Sequence, residues 1–528
     1  MMDDKDLHQH AQELTAAYQA GRIGRRDVLK MGALLGLSLP FLDALPARAA
    51  APRAIRRGGT LRVASTSPTS IEPPLLIDGS GIALVQQACE YLVKVGSDLT
   101  PRPLLATSWK PSAGGRVWTF TLRRGVTFHN GQEMTADDVI ATFKRLVKPP
   151  STAQSAFSFL KAEGIRKVDR YTVAFHLDSV QVDFPSYMAS YQAVILPANW
   201  PGHFAKNPIG TGPYKLVEYV PQQRARFVKN PHYWRTGLPY VDSVEILLGL
   251  APEAQVTALL GGSADVLVTT QPNTLQALRA SSTIKVLTTP SSGFNGLFVR
   301  TDKAPFNDVR VRQAMALSIN RPAIVSTVDA GLSVVGDDSV ISPVFPLYSP
   351  LPQRAQDYAA AKKLLAAAGH PSGFSATLST ASDTASLVAL ATVVQQMLKP
   401  VGINVTLKTE PANTYYTADW LDQPFTITEW AHRGTPGQFL DVAFRTGANF
   451  NASHYSNPQL DALITKLDST LDGASRKAIA KQIEKILYTD VPAILPSFGK
   501  TARAMRANLQ NVVADPSSYL DLSAAYLS

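Results

Sequence analysis

Apolar residues in this chain change spacing repeatedly, from every second residue to a 3.6-residue period and back, with no internal repeat and no low-complexity segment. Such alternation implies an α/β fold. VWTFTL at 117 to 122 alternates large apolar with polar residues and, after Arg123, Arg124 and Gly125, meets Val126, Thr127 and Phe128, a pattern that predicts a half-buried hairpin. Thr135 to Asp138 forms a capping box ahead of Val139, Phe143, Leu146 and Val147, so a helix starts there. Tyr171, Val173, Phe175 and Leu177 repeat with period two and turn His176 to the opposite face. Asn307 and Asp308 cap a helix whose inner stripe is Val311, Ala314, Met315 and Ile319, with Arg310 and Arg312 off the stripe. Residues 358 to 368 read as an Ala and Leu helix stopped by Gly369, and Ile479, Ile483, Ile486 and Leu487 mark a further amphipathic helix.

At 528 residues, 45% hydrophobic and 17% charged, the chain is too long for one compact core, so two or more lobes are expected rather than a disordered tail or a membrane bundle. Net charge is +10, yet no run of five or six basic residues marks a nucleic-acid arm; anionic partners are the simpler expectation. Residues 1 to 49 read as a twin-arginine export signal: Arg25 and Arg26 precede an apolar run from 31 to 42, which is too short to span a bilayer, and Ala47, Arg48 and Ala49 offer a cleavage site. The segment carries six basic and six acidic residues, so its removal leaves the charge unchanged. The mature chain is expected in a periplasm as a soluble monomer. Its single cysteine, Cys89, has no partner for an internal disulfide and lies too far from the cleavage site for an N-terminal lipid; it reads as a small core residue on a helix.

The sequence offers few signs of chemistry. It contains no G-x-S-x-G elbow, no H-E-x-x-H, no cysteine pair and no close histidine pair outside His8 and His10 in the export segment, so no metal or cofactor is expected. IGTGPY at 209 to 214 lacks the third glycine and the Lys-Ser or Lys-Thr ending of a phosphate loop, and Pro213 removes a donor; it reads as a tight turn entering a strand.

Several stretches together resemble the extracellular solute-binding proteins of ABC importers, family 5, the dipeptide, oligopeptide and nickel group. They are PLLATSWKPSAGGRVWTFTLRRGVTFHNGQEMTADDVIATFKRL at 103 to 146, NPIGTGPYKLVEY with NPHYW at 207 to 234, KAPFNDVRVRQAMALSINR at 303 to 321, DYAAAKKLLAAAGH at 357 to 370 and NASHYSNPQLDALI at 451 to 464. The resemblance implies a large, cluster C-like periplasmic-binding-protein fold with two lobes, a hinge and an extra subdomain. Lobe one would take residues 50–100, 195–300 and 481–528, the extra subdomain 101–194 and lobe two 301–480. In such a frame Pro208, Gly210, Gly212, Pro213, Arg310 and Arg312 shape turns and helix ends. The implied partners are a small solute and the transmembrane subunits of an ABC permease.

The same resemblance directs attention to EWAHRGTPGQFL at 429 to 440, too rich in Gly and Pro for a helix or central strand. In peptide-binding members an aspartate three residues after the matching tryptophan takes the peptide's amino group. Here that position is Arg433, which favours a carboxylate or phosphate over an ammonium, in a loop about one residue shorter. Trp430 supplies a rigid apolar face, His432 a possible donor or pH-responsive group, and Glu429 a carboxylate that would serve a cationic ligand. Thr66 and Ser67 at the end of the first strand, Phe294 and Asn295, and the rim aromatics Tyr415 and Tyr416 complete the expected ligand set. The competing structural roles are core packing for the three aromatics Trp430, Tyr415 and Tyr416, and simple solvation for Arg433 and His432.

The reading is a periplasmic binding protein that captures a peptide, or a peptide-like, anionic or neutral solute. Its rivals are an exported enzyme on the same scaffold, separated by turnover of a bound compound, and a ligand-presenting sensory module, separated by whether deletion abolishes uptake.

Overall fold

Local signals set the first elements. Asp138 accepts from the Thr135 backbone N–H at 2.7 Å, closing the reciprocal cap, and helix Ala136–Leu146 follows with Val139, Phe143 and Leu146 buried. Helix Val309–Ser318 begins at Asp308, whose carboxylate accepts from the Arg310 N–H, and helix Tyr358–Ala367 is followed by Gly369 at a φ of +88°, a left-handed position suited to glycine. The computed structural model describes residues 55–517 and 519–528, and residues Arg57–Leu527 form the unit considered below. The export-signal reading of residues 1 to 49 lies outside the described residues.

Among the described residues, three main sheets carry the fold. The first has eight strands: Ile284–Pro290, Ser497–Arg506, Val266–Leu267, Thr60–Ala64, Ser243–Leu247, Arg224–Lys229 and Tyr214–Val220 in spatial order, with Ser333–Val335 also paired to Ser497–Arg506. The second runs Ile403–Glu410, Phe374–Ala381, Phe425–Trp430, Phe294–Val299 and Ala493–Ile494. The third runs Ala106–Ser112, Val117–Leu122, Thr172–Leu177 and Leu160–Asp169. Each packs a separate apolar core, with Val63, Phe227 and Ile246 in the first, Ile427, Leu390 and Met315 in the second, and Phe120, Phe143 and Phe175 in the third.

Several expectations are corrected. Val117–Leu122 does not form a hairpin with residues 126 to 128, because Ala106–Ser112 and Thr172–Leu177 occupy its two edges; Thr127 instead bridges Glu133. Strand Phe294–Val299 and strand Ala493–Ile494 belong to the second sheet, so the chain passes directly between the first two sheets at 291 to 293 and at 495 to 496. The apolar run FNGLFV continues the preceding strand by composition; the Ser291, Ser292 and Gly293 break is what divides them. Arg312 is buried rather than off the packed face. Its Nε donates to the carbonyl of Asp490 at 2.7 Å, at the C-terminal end of helix Gly473–Asp490, where unpaired carbonyls favour a cation.

Two of the family-like stretches meet at one carboxylate. A Cβ on Gly210 would lie 2.0 Å from the Ala88 carbonyl oxygen, and one on Gly212 2.5 Å from the Ala88 carbonyl carbon, so the turn needs both glycines to lie against the end of helix Gly79–Ala88. Thr211 thereby donates to Glu90 at 2.9 Å, joined by Tyr233 at 2.7 Å and Trp234 at 2.8 Å. Cys89 caps the same helix end and is buried, and burial pushes its thiol well up, as expected of an inert core residue. The turn is a packing device and no phosphate loop.

The first crossing is tied to the strand that follows the second. Ser291 donates its backbone N–H to Gly499 at 2.9 Å, and Gly499 donates to Gly293 at 2.8 Å. Beneath the second crossing, buried Asp338 accepts two bonds from Arg321 at 2.7 and 2.8 Å, one from Arg354 at 2.9 Å and one from the Leu495 N–H at 3.1 Å, a fully paired buried charge. Glu484 differs. Its Oε1 accepts from Ser349, its Oε2 has no partner, and burial with nearby Asp337 pushes its pKa up to about 8.

A carboxyl group whose folded pKa exceeds its ordinary value stabilises the fold fully below the ordinary value, and that contribution fades as pH rises through the folded value. Glu484→Gln, which keeps the Ser349 bond and removes the charge, is expected to raise Tm at pH 9 by about 2 °C while giving little gain at pH 4.5. Melting curves at the two pH values check this; an equal shift at both would contradict it.

Candidate functional site

A cavity of about 2030 Å³ opens beside the two crossings. All three sheets contribute to its wall: Asn295, Trp430 and Arg433 from the second, Thr270 and Lys500 from the first, and Gln181 and Tyr187 from the segment carrying the third. Drug-sized ligand pockets are roughly 300–1,000 Å³, so the space suits a solute of several residues or an equivalent bulk.

The register of the second sheet builds the centre of this wall. Phe294 faces Trp430 and Asn295 faces Glu429 across an antiparallel pair, so these four predicted residues come together. Trp430 is 7% exposed and is held by Phe294 with rings stacked at 6.5 Å, by Phe439 at 6.0 Å and by Trp420 at 6.2 Å. It is therefore largely a core residue that shows one edge to the cavity. Trp420 stacks on Phe450 at 5.4 Å and meets Tyr416 edge-on at 5.5 Å, extending an aromatic wall. Tyr416 lines the cavity; adjacent Tyr415 is fully buried, its hydroxyl donating to the Ile427 carbonyl at 2.8 Å, and so is corrected to a core residue.

Beyond Trp430 the chain leaves the strand, and Ser292 fixes the loop. The Ser292 hydroxyl accepts from the Arg433 N–H at 2.9 Å and lies 2.8 Å from the Arg433 carbonyl, while its own backbone N–H donates to His432 Nδ1 at 3.1 Å. The Arg433 guanidinium has no hydrogen-bond or ion-pair partner among the described residues and lines the cavity. His432 is not the pH-responsive group considered from sequence: burial, then the charge of Arg433, pushes its pKa down to about 3, so it is neutral under ordinary conditions. Glu429 is open to the cavity with no cation beside it, and partial removal from bulk water raises its pKa.

Thr66 and Ser67 do not reach this cavity. The Thr66 hydroxyl pairs with Ser80 at 2.7 Å beside a pocket of about 20 Å³, and Ser67 lies against Gly249. The strand end they occupy is tied to helix Gly79–Ala88 rather than to the cavity wall.

Sequence reading missed a charged corner. Arg445 Nη2 sits 2.6 Å from Asp441 and 3.2 Å from Asp468, and burial together with Asp441 pushes Asp468 up to about 8. Asp183 and Arg476 close a paired fork at 2.6 and 2.8 Å nearby, linking the third-sheet segment to helix Gly473–Asp490. The i, i+4 spacing of Asp441 and Arg445 was the one signal available from sequence.

These elements make a recognition surface: an aromatic wall, unpaired charges and fixed donors around a large space. The chain is similar to heme-binding protein A of Haemophilus influenzae, 26% identical over 494 residues that span 86% of this chain and 89% of that protein. It is also 26% identical to the dipeptide-binding protein of Escherichia coli over 492 residues, 85% of this chain and 91% of the relative. Among solved structures, AgaA from A. tumefaciens R10, in complex with agropinic acid, shares the fold with a TM-score of 0.74 and 24% identity, over 89% of this chain and 99% of that one. The mixed α/β, two-lobed periplasmic-binding-protein fold expected from sequence is thus the fold observed. The model of bacterial extracellular solute-binding proteins, family 5 Middle, matches residues 100–451, well over half of the chain, and the protein belongs to that family.

Proposed function

We propose that this protein is the periplasmic receptor of an ABC importer, closing on a peptide or a peptide-like solute that carries a carboxylate and passing it unchanged to a membrane permease. The observation that carries the reading is the cavity wall itself, where a guanidinium stands without a protein partner beside a tryptophan edge. An unpaired charge in a partly dry site is costly unless a ligand completes it. Arg433 and Lys500 both line the cavity and offer positive charge to an anion, and the paired geometry of a guanidinium suits a carboxylate. Glu429 on the same wall gives a solute's ammonium a place, so a zwitterion fits. The relatives named for dipeptides and for heme, and the structure holding agropinic acid, are proteins of carboxylate-bearing ligands, which supports this choice.

In this reading the first sheet and its helices make one lobe, the second sheet the other, and the third sheet the extra subdomain, with the hinge at the two crossings. Closure around the solute supplies the signal the permease reads. The chain reaches the periplasm by the twin-arginine route and works there as a monomer without a lipid anchor.

Native mass spectrometry on protein isolated gently from its source is expected to find a carboxylate-bearing small molecule. Calorimetry on that compound should show Arg433→Asp weakening binding about 10- to 100-fold, the worth of one charged hydrogen-bonded contact. An unchanged affinity would remove Arg433 from the site. Replacing Arg25 and Arg26 with lysine should abolish periplasmic accumulation, and undiminished export would contradict the twin-arginine assignment.

A further inference from the structure

We propose that Ser292 is a positioning residue for the solute cleft: seated in a crossing between two sheets, it holds His432 as a neutral imidazole with the proton on Nε2, so this point of the wall presents a donor and selects an oxygen acceptor on the solute. The inference rests on the reading of the cavity as the solute site.

A backbone N–H can only donate. That of Ser292 points at His432 Nδ1 from 3.1 Å, so Nδ1 must keep its lone pair and, in the neutral ring, the proton sits on Nε2. The Ser292 hydroxyl lies 2.9 Å from the same nitrogen and donates its one hydrogen to the Arg433 carbonyl at 2.8 Å, which leaves the backbone N–H as the donor that sets the ring. Its oxygen accepts from the Arg433 N–H at 2.9 Å, which closes the loop backbone onto the crossing. Ser292 is fully buried, whereas His432 lines the cavity and its Nε2 has no partner among the described residues. The low pKa of His432, about 3, agrees with a ring kept uncharged beside Arg433. The contact spans 140 residues of sequence and joins the ligand loop to the segment that must bend if the sheets rotate. An imidazole held in this way cannot accept from a solute ammonium or hydroxyl.

The test is nitrogen NMR of 15N-histidine-labelled, solute-free protein at pH 7, with the His432 signal identified by its loss in His432→Gln. Wild type should show Nε2–H in about tenfold excess or more, as one hydrogen bond of ordinary strength supports. Ser292→Ala, which keeps the backbone N–H, should keep the wild-type pattern, and Ser292→Pro, which lacks that N–H, should give a mixture of tautomers. A charged or Nδ1–H ring in wild type or in a folded Ser292→Ala, or a folded Ser292→Pro with an unchanged spectrum, would overturn the assignment. Should Ser292→Pro not fold, Nε2–H in both wild type and Ser292→Ala supports it, and Nδ1–H in either overturns it. No solute is added, so the result stands apart from whether the cavity binds one.

Discussion

Two short lengths of backbone, 291 to 293 and 495 to 496, carry the chain between the first and second sheets, and hydrogen bonds through Gly499 tie the first of them to the strand that follows the second. Everything else in the molecule is arranged around that joint. Each sheet buries its own apolar core, and a further cluster that includes Phe294, Trp430 and Phe498 joins the two across the joint. The cavity lies against it, and the strand pair that emerges from it, Phe294–Val299 with Phe425–Trp430, supplies the wall. Gly293 belongs to this geometry as well: a Cβ there would come within 2.9 Å of the Trp430 carbonyl oxygen, so the crossing can pass close to the end of the wall strand only without a side chain.

Charge is treated differently inside the frame and at the cavity. Arg312, Arg321 and Asp338 are buried and Arg354 is half-buried, and their hydrogen bonds hold distant pieces of backbone together. Arg433 and Glu429 have no such partners although they sit only four residues apart on the second sheet and its loop. Most charges of the frame are paired, Glu484 Oε2 being an exception, and these two stand unmet at the edge of a large cavity, which supports the proposed charged solute. Binding then draws on interactions that the empty protein lacks, which is the condition for a solute to shift the balance between open and closed forms.

What could be read from sequence divides along the range of the interactions. The Thr135 and Asp138 cap, the stop at Gly369 and the period-two run ending at Leu177 depend on neighbours within a few residues, and all stand as read. The partner of strand Val117–Leu122 was misread because pairing is decided by which strands reach its edges, and Thr172–Leu177 comes from more than fifty residues away. Family resemblance located Trp430, Glu429 and Arg433 on the cavity, yet it could not separate Tyr416, on the wall, from Tyr415, in the core, since both are aromatic and one peptide bond apart. Thr66 and Ser67 fall outside the cavity lining, the Thr66 hydroxyl being paired with Ser80 of the helix. Ser292 carried no signal at all; a serine before a glycine reads as a loop, and its role comes from a contact with His432 that only the folded chain creates.

On the proposed function, the two sheets bend about the crossings to enclose a solute. Small-angle X-ray scattering on the solute-free protein, and on the same sample saturated with the compound it co-purifies with, measures this. A smaller radius of gyration and a shorter maximum dimension are expected when the compound is bound. Superimposable scattering curves at demonstrated saturation would contradict it.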